Sequence, residues 1–218
     1  MVQGPDVVTV IPMKELADSK RRLAQYMTVE QRGDIVIGML RRVIVAIQGA
    51  TTGPVWVVGG DWRVRNLARN FEALWMEDFA RNLNDTLSKA FELVFQRGHS
   101  ALYVAGDLPF LKASDILSMV KSSRQGNNIT LAPARRDGGT NSILVPHGLP
   151  FQPQLGRRSF SRHISQAAKL GISVAICSSP GLGFDLDTGD DLEAYQHMEP
   201  GLLERLTSPL KPEREPKF

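Results

Sequence analysis

Short β-branched apolar runs alternate along this chain with longer stretches whose apolar residues recur every three or four positions. Val7–Ile11, Val55–Val58 and Ala101–Ala105 are runs of the first kind. Ile35, Met39, Val43 and Ile47, and then Leu87, Ala90, Phe91, Val94 and Phe95, mark helices of the second. A strand that leads through a helix into another strand brings the chain back to the same end of a sheet. Repetition of that unit therefore predicts an α/β protein with a largely parallel sheet and helices packed against it.

Local signals place the ends of these elements. The first strand is expected to stop at Pro12, which has no N–H to give to a ladder. Thr28-Val-Glu-Gln31 has the form of a capping box opening the first helix, and Gly49 is its expected stop. Asn84–Arg97 reads as a second helix, and Ser114 as the cap of a short third one carrying Ile116, Leu117 and Val120. Ile129–Ala132 and Ser142–Val145 are strand-like, Ser161–Leu170 is helical, and Ser173–Cys177 and Phe184–Asp187 read as the last two strands.

At 218 residues, with 42% hydrophobic and 22% charged positions, the chain has the material for one sizeable domain and not the composition of a disordered one. No internal repeat or low-complexity linker divides it, so residues 1–208 are expected to form the domain. The Pro- and charge-rich stretch 209–218 is expected to be a disordered tail. Apolar runs are far too short for a membrane span, and no basic-then-apolar leader opens the chain. The single cysteine, Cys177, excludes a disulfide framework or a Cys-rich zinc site. The expected location is the cytoplasm. The net charge of +3 is modest, aromatic residues make up 7%, and no nucleic-acid-binding motif surrounds the basic clusters, which argues against nucleic acid as a partner.

In an open parallel sheet, ligands bind beyond the carboxyl ends of the strands. Lys14, Lys20 and Arg22 follow the first strand, Asp107 the third, and Asp185 and Asp187 lie on the last. Carboxylates at i and i+2 of a strand share a face, roughly 7 Å apart, and could grip a divalent cation. Asp107 would close the shell. An all-oxygen set points to Mg²⁺. Taken singly, each has a plainer role: Asp107 as a turn former, Asp187 as part of a helix cap, the lysines and arginine as a solvated loop. The chain lacks a Walker P-loop and a G-x-G-x-x-G. Asp137-Gly-Gly-Thr140-Asn141 and Gly156-Arg-Arg-Ser159 combine flexible backbone, amides and hydroxyls, the parts of an anion site, although a hairpin turn and a helix-entry loop would look alike. His163, on the helix that follows, reads as structural.

Ile11-Pro-Met-Lys14 through Ser19-Lys20-Arg-Arg-Leu23, Leu83-Asn84-Asp-Thr-Leu87, Gly106-Asp-Leu-Pro109, Asp137–Asn141, Gly156–Ser159 and Phe184-Asp-Leu-Asp-Thr188 occur in that order. As an ordered set covering Val7 to about Tyr195, they resemble the 2-phospho-L-lactate guanylyltransferase family of coenzyme F420 biosynthesis. Members of that family use 2-phospho-L-lactate, phosphoenolpyruvate or 3-phosphoglycerate. The resemblance implies a single-domain nucleotidyltransferase fold of the GT-A type, with a mixed sheet and helices on both faces. It implies metal binding by Asp107, Asp185 and Asp187, with two Mg²⁺ ions and GTP as substrate. Thr140, Gly156 and Ser159 would hold the acceptor acid, Lys14, Lys20 and Arg22 the triphosphate, and Asn84 the nucleotide. The chain departs from the family pattern at Arg21, where Ser is usual, and at Leu155, where an aromatic residue is common.

The reaction so implied is in-line attack of an acceptor phosphate oxygen on the α-phosphorus of GTP, helped by positioning and charge neutralisation. Two other readings stand beside it: a cytidylyl- or molybdopterin guanylyltransferase on the same scaffold, and a non-catalytic nucleotide-binding regulator. A homodimer would be unsurprising.

Overall fold

The computed structural model describes residues 7–78, 80, 82–123 and 127–208. The tail expected at 209–218 lies outside the described residues. Seven strands, β1 (Val7–Met13), β2 (Val55–Gly59), β3 (Leu74–Met76), β4 (Ser100–Val104), β5 (Asn128–Pro133), β6 (Thr140–Val145) and β7 (Ser173–Ile176), form one sheet in the order β3-β2-β1-β4-β6-β5-β7. β6 runs antiparallel to both of its neighbours, while the other pairings are parallel. The order reverses at β1, which has β2 on one side and β4 on the other.

Alternation along the strands sorts the core into two layers. Val7 and Ile11 of β1, Val55 and Val57 of β2, and Leu102 and Val104 of β4 face one side. There they meet α1 (Val29–Ala50), α2 (Trp62–Asn70), α4 (Ala113–Ser122), α7 (Gly189–Met198) and α8 (Leu202–Thr207). Val8, Val10, Trp56, Val58 and Tyr103 face the other side, against α3 (Leu83–Phe95) and α5 (Ser159–Lys169).

The box at Thr28 forms as expected: Thr28 Oγ1 accepts from the Gln31 N–H at 3.2 Å, and Gln31 Oε1 accepts from the Thr28 N–H at 2.9 Å. Several boundaries differ. β1 continues through Pro12, because its ladder with β4 has already ended at Val10↔Tyr103 and the missing N–H is not needed on that side. α1 runs past Gly49 to Ala50, and Thr51 takes the left-handed turn at φ 51°. α4 begins before Ser114: the Asp115 carboxylate accepts from the Lys112 N–H at 2.9 Å and caps the helix from within.

Phe184–Asp187 is not a strand. It is a loop after the single turn α6 (Pro180–Gly183), tied to the sheet where the Leu186 N–H donates to the Asp107 carbonyl at 3.2 Å. Leu186 is fully buried, so it plugs this loop into the core and leaves an aspartate on each side.

α8 lies so close to α1 that a Cβ on Gly38 would stand 2.0 Å from the Leu206 carbonyl oxygen. Gly38→Ala would add about 1 kcal/mol of helix propensity. Overpacking against rigid backbone costs about 1–3 kcal/mol or more and should win. A lower denaturation midpoint is expected; an unchanged or raised one would show that α8 sits there without constraint.

Candidate active site

The carboxyl ends of β1, β2 and β4 open onto a cleft of about 920 Å³, lined among others by Lys14, Lys20, Gly59, Asp107 and Asp187. This is the point where the strand order reverses, the usual place for a ligand in an open α/β sheet. β6 contributes its amino end to the same rim because it is antiparallel.

After β1 the chain makes two 3₁₀ turns, Leu16–Asp18 and Arg21–Leu23, anchored by the buried side chains of Leu16 and Leu23. The buried guanidinium of Arg32 donates to the carbonyls of Ser19 (3.3 Å) and Met27 (3.1 Å) and so clasps the loop from beneath. Lys20 joins the two turns in the left-handed conformation, φ 50°, which a non-glycine residue adopts at some expense. That backbone turns its side chain inward until only 7% remains exposed. Nζ then lies 2.5 Å from Asp107 Oδ2 and 2.7 Å from Asp187 Oδ1. Arg22 approaches Asp187 from solvent at 3.9 Å, and Lys14 is exposed at the cleft mouth.

Burial works against the Lys20 charge, but the carboxylates of Asp107 and Asp187 outweigh it and hold the ammonium well above its ordinary pKa. For Asp187, burial raises the pKa, while Lys20, then Arg22 and Arg136, bring it below the usual range. Asp185 takes no part in this set of ion pairs among the described residues. Burial first, then the charges of Asp107 and Asp187, push its pKa up to about 6, although Asn141 Nδ2 donates to it at 3.3 Å. Its backbone carbonyl accepts from the Tyr195 hydroxyl at 3.0 Å, which fixes the loop.

The three aspartates expected to bind metal therefore do reach one rim, but not as a finished shell. Among the described residues no group of three or more His, Cys, Asp or Glu has metal-holding spacing. Asp107 and Asp187 converge on one positive centre, the Lys20 ammonium, and Asp185 turns to Asn141. The donor set still fits Mg²⁺, which takes one or two carboxylates and completes its shell with water and substrate phosphates.

The remaining expected residues divide. Asp137–Thr140 and Gly156–Ser159 are joined by backbone bonds, Arg158 N–H to the Asp137 carbonyl (3.4 Å) and Phe160 N–H to that of Gly138 (3.1 Å). Gly156 has φ +123°, where a side chain would be strained. Thr140 and Ser159 are buried, and their hydroxyls bond to each other at 3.1 Å. His163 is part of the same network. Its Nε2 accepts from the Gln154 N–H (2.8 Å), so Nδ1 carries the proton and donates it to Thr140 Oγ1 (3.0 Å). Asn84 does not line the cleft. Its amide spans the Leu155 backbone, accepting from N–H at 2.7 Å and donating to the carbonyl at 3.4 Å, and so sets the loop that carries Gly156.

Sequence reasoning passed over the far wall of the cleft, made by α2, β3 and the start of α3. Asp61 caps α2 by accepting from the N–H groups of Arg63 and Val64. Trp75 donates its indole N–H to the Gly59 carbonyl at 2.9 Å, with Arg65 over its ring at 5.4 Å. The Gly59-Gly60-Asp61 turn before a polar helix was the available signal. Arg136, which bonds to Asp191 and Thr188 beside the aspartate loop, was also missed as a site residue.

The family described as "Guanylyl transferase CofC like" matches residues 7–199. The chain belongs to this family. A phosphoenolpyruvate guanylyltransferase from Rubrobacter xylanophilus is 32% identical over 189 residues, covering 85% of this chain and 91% of that protein. A 2-phospho-L-lactate guanylyltransferase from Methanocaldococcus infernus is 27% identical, covering 96% and 94%. A solved nucleotidyl transferase from Methanothermobacter has a TM-score of 0.60 at 14% identity, covering 91% of this chain and 98% of that one, a likeness of fold. Membership in the CofC-like family agrees with the single α/β domain and with a cleft at the reversal of strand order. Among the described residues no helix is long and apolar enough to cross a membrane.

Proposed function

We propose that this CofC-like chain is a cytoplasmic guanylyltransferase of coenzyme F420 biosynthesis. It would transfer GMP from GTP to a phosphorylated three-carbon acid, phosphoenolpyruvate or 2-phospho-L-lactate, with 3-phosphoglycerate as a further candidate, and release pyrophosphate. The observation that carries the reading is the convergence of Asp107 and Asp187 on one cationic position at the cleft, in a chain of this family.

Asp107 and Asp187, with Asp185 beside them, would hold Mg²⁺, which neutralises charge on the phosphates and the departing pyrophosphate when bound. An acceptor phosphate oxygen attacks the α-phosphorus, a P–O bond forms, and the bond from the α-phosphorus to the oxygen bridging to the β-phosphorus breaks. The attacking oxygen is already anionic at neutral pH, so no side chain need remove a proton. Lys14, Lys20 and Arg22 offset the charge of the triphosphate. The linked loops at Asp137–Thr140 and Gly156–Ser159 orient the acceptor, and His163 and Asn84 keep those loops in place.

Incubation with GTP and each of the three acids, with products read by mass and pyrophosphate assayed in parallel, tests this. A guanylylated acid is expected; GTP binding with no pyrophosphate from any acceptor would favour a regulator. Asn84→Ala should raise the KM for the acceptor about tenfold, the scale of a lost pair of half-buried hydrogen bonds, and leave the KM for GTP nearly unchanged. A rise confined to GTP would return Asn84 to the nucleotide.

A further inference from the structure

Two carboxylates held side by side without a cation repel each other, and each resists ionisation of the other. The chain resolves this with its own cation. Lys20 Nζ bonds to both Asp107 and Asp187, its side chain is 7% exposed, and its backbone is kept at φ 50° by a loop that Leu16, Leu23 and Arg32 anchor. Arg22, at 3.9 Å from Asp187 and with its side chain 72% exposed, does not substitute for it.

We propose that the Lys20 ammonium is an internal stand-in for the divalent cation. It fills the position between Asp107 and Asp187 while the cleft is empty, and it must be displaced before a metal can bind there. The inference rests on the reading of these two aspartates as metal carboxylates. A monovalent ammonium and a divalent ion cannot share the two carboxylates without strong repulsion. The ammonium leaves when new negative charge is within reach of its flexible stem, and the triphosphate brings that charge into the same cleft. Metal and nucleotide are thereby coupled: each raises affinity for the other by the same factor. Lys20 acts here as a positioning residue that keeps the metal site closed until nucleotide arrives.

The test is Mn²⁺ titration followed by the electron paramagnetic resonance of free Mn²⁺, with wild type, Lys20→Gln and Lys20→Arg, each with and without a non-hydrolysable GTP analogue. Without nucleotide, Lys20→Gln is expected to bind Mn²⁺ about tenfold tighter than wild type, within the usual range of such couplings. Lys20→Arg, which keeps the charge, should stay weak. The gain from the analogue should be larger in wild type than in Lys20→Gln. Equal affinities of wild type and Lys20→Gln without nucleotide, with equal gains from the analogue, would overturn the stand-in role and leave the metal site in place. No Mn²⁺ bound by any form, even with the analogue, would overturn the metal reading as well. Should Lys20→Gln fail to fold, the lysine ammonium resonances of wild type report the same event. The Lys20 signal must move when Mg²⁺ and the analogue are added together, and a signal that does not move overturns the proposal.

Discussion

Asp187→Asn is expected to lower turnover about a thousandfold while leaving the fold intact, because charge stabilisation of several kcal/mol is lost and each 1.4 kcal/mol is a factor of ten. The substitution keeps the shape and removes one negative charge from the pair that meets at Lys20. The fold should survive, since the side chain is 43% exposed and the backbone of this loop is held independently of the carboxylate. Leu186 is buried and bonded to the Asp107 carbonyl, and the Asp187 N–H donates to Asp191 at 3.1 Å. Asp185→Asn should also be severely impaired, and the unfolding midpoints of both variants should lie near that of wild type. Single-turnover measurement of pyrophosphate release at saturating GTP and acceptor checks this. Near-normal rates in both variants, with the divalent-cation requirement unchanged, would remove the aspartates from the chemistry.

The second large effect falls on stability. His163 is fully buried, burial and the neighbouring Arg162 charge lower its pKa to about 4, and its two ring nitrogens are already committed to Gln154 and Thr140. In the unfolded chain the imidazole returns to its ordinary value near 6.5. Between these values the unfolded chain binds a proton that the folded chain refuses, so acid favours unfolding. The stability associated with neutral His163 is complete above about pH 6.5, declines as pH falls through the window, and is gone below about pH 4, on the order of 3 kcal/mol in all. His163→Gln should be less stable at pH 7, having lost a fitted buried hydrogen-bond partner. Its deficit relative to wild type should then narrow as pH approaches 4, because the carboxylates that titrate there are common to both. Urea midpoints at intervals across the window measure that difference, and a gap that stays constant would show that the folded His163 takes up a proton freely.

Elements written in a few adjacent residues were legible from the chain alone. The Thr28–Gln31 box, the apolar stripe of α1, β2, β4 and most of α3 depend on neighbours within a turn or a strand, and they stand where local pattern puts them. The ordered motifs likewise placed Lys20, Asp107, Asp185 and Asp187 together, and all four come to the same region of the rim. β3 was not legible, because an edge strand of three residues with Leu74 52% exposed has almost no periodic signal. Nor was the loop nature of Phe184–Asp187. Its alternation looks like a strand, but among the described residues no strand pairs with it, and the bond from the Leu186 N–H to the Asp107 carbonyl ties it down in place of a ladder.

Side-chain destinations were hidden for the same reason. The resemblance assigns Thr140 and Ser159 to the acceptor, and only the fold adds that their hydroxyls bond to each other and that Thr140 meets His163. The resemblance assigns Asn84 to the nucleotide, and only the fold shows its amide bonded to the backbone of Leu155, 71 positions away.

From its residues alone, this chain declares an α/β protein with a largely parallel sheet and carries the ordered motifs whose resemblance implies helices on both faces, because helix and strand preferences and motif spacing are short-range properties of the covalent chain. Only the folded molecule decides that β6 runs against its neighbours and that Lys20, rather than Asp185, completes the Asp107–Asp187 pair. Those contacts span 87 and 167 positions. They are selected by which charges can be buried together at acceptable electrostatic cost, and that balance exists only once the sheet has brought the strand ends to one rim.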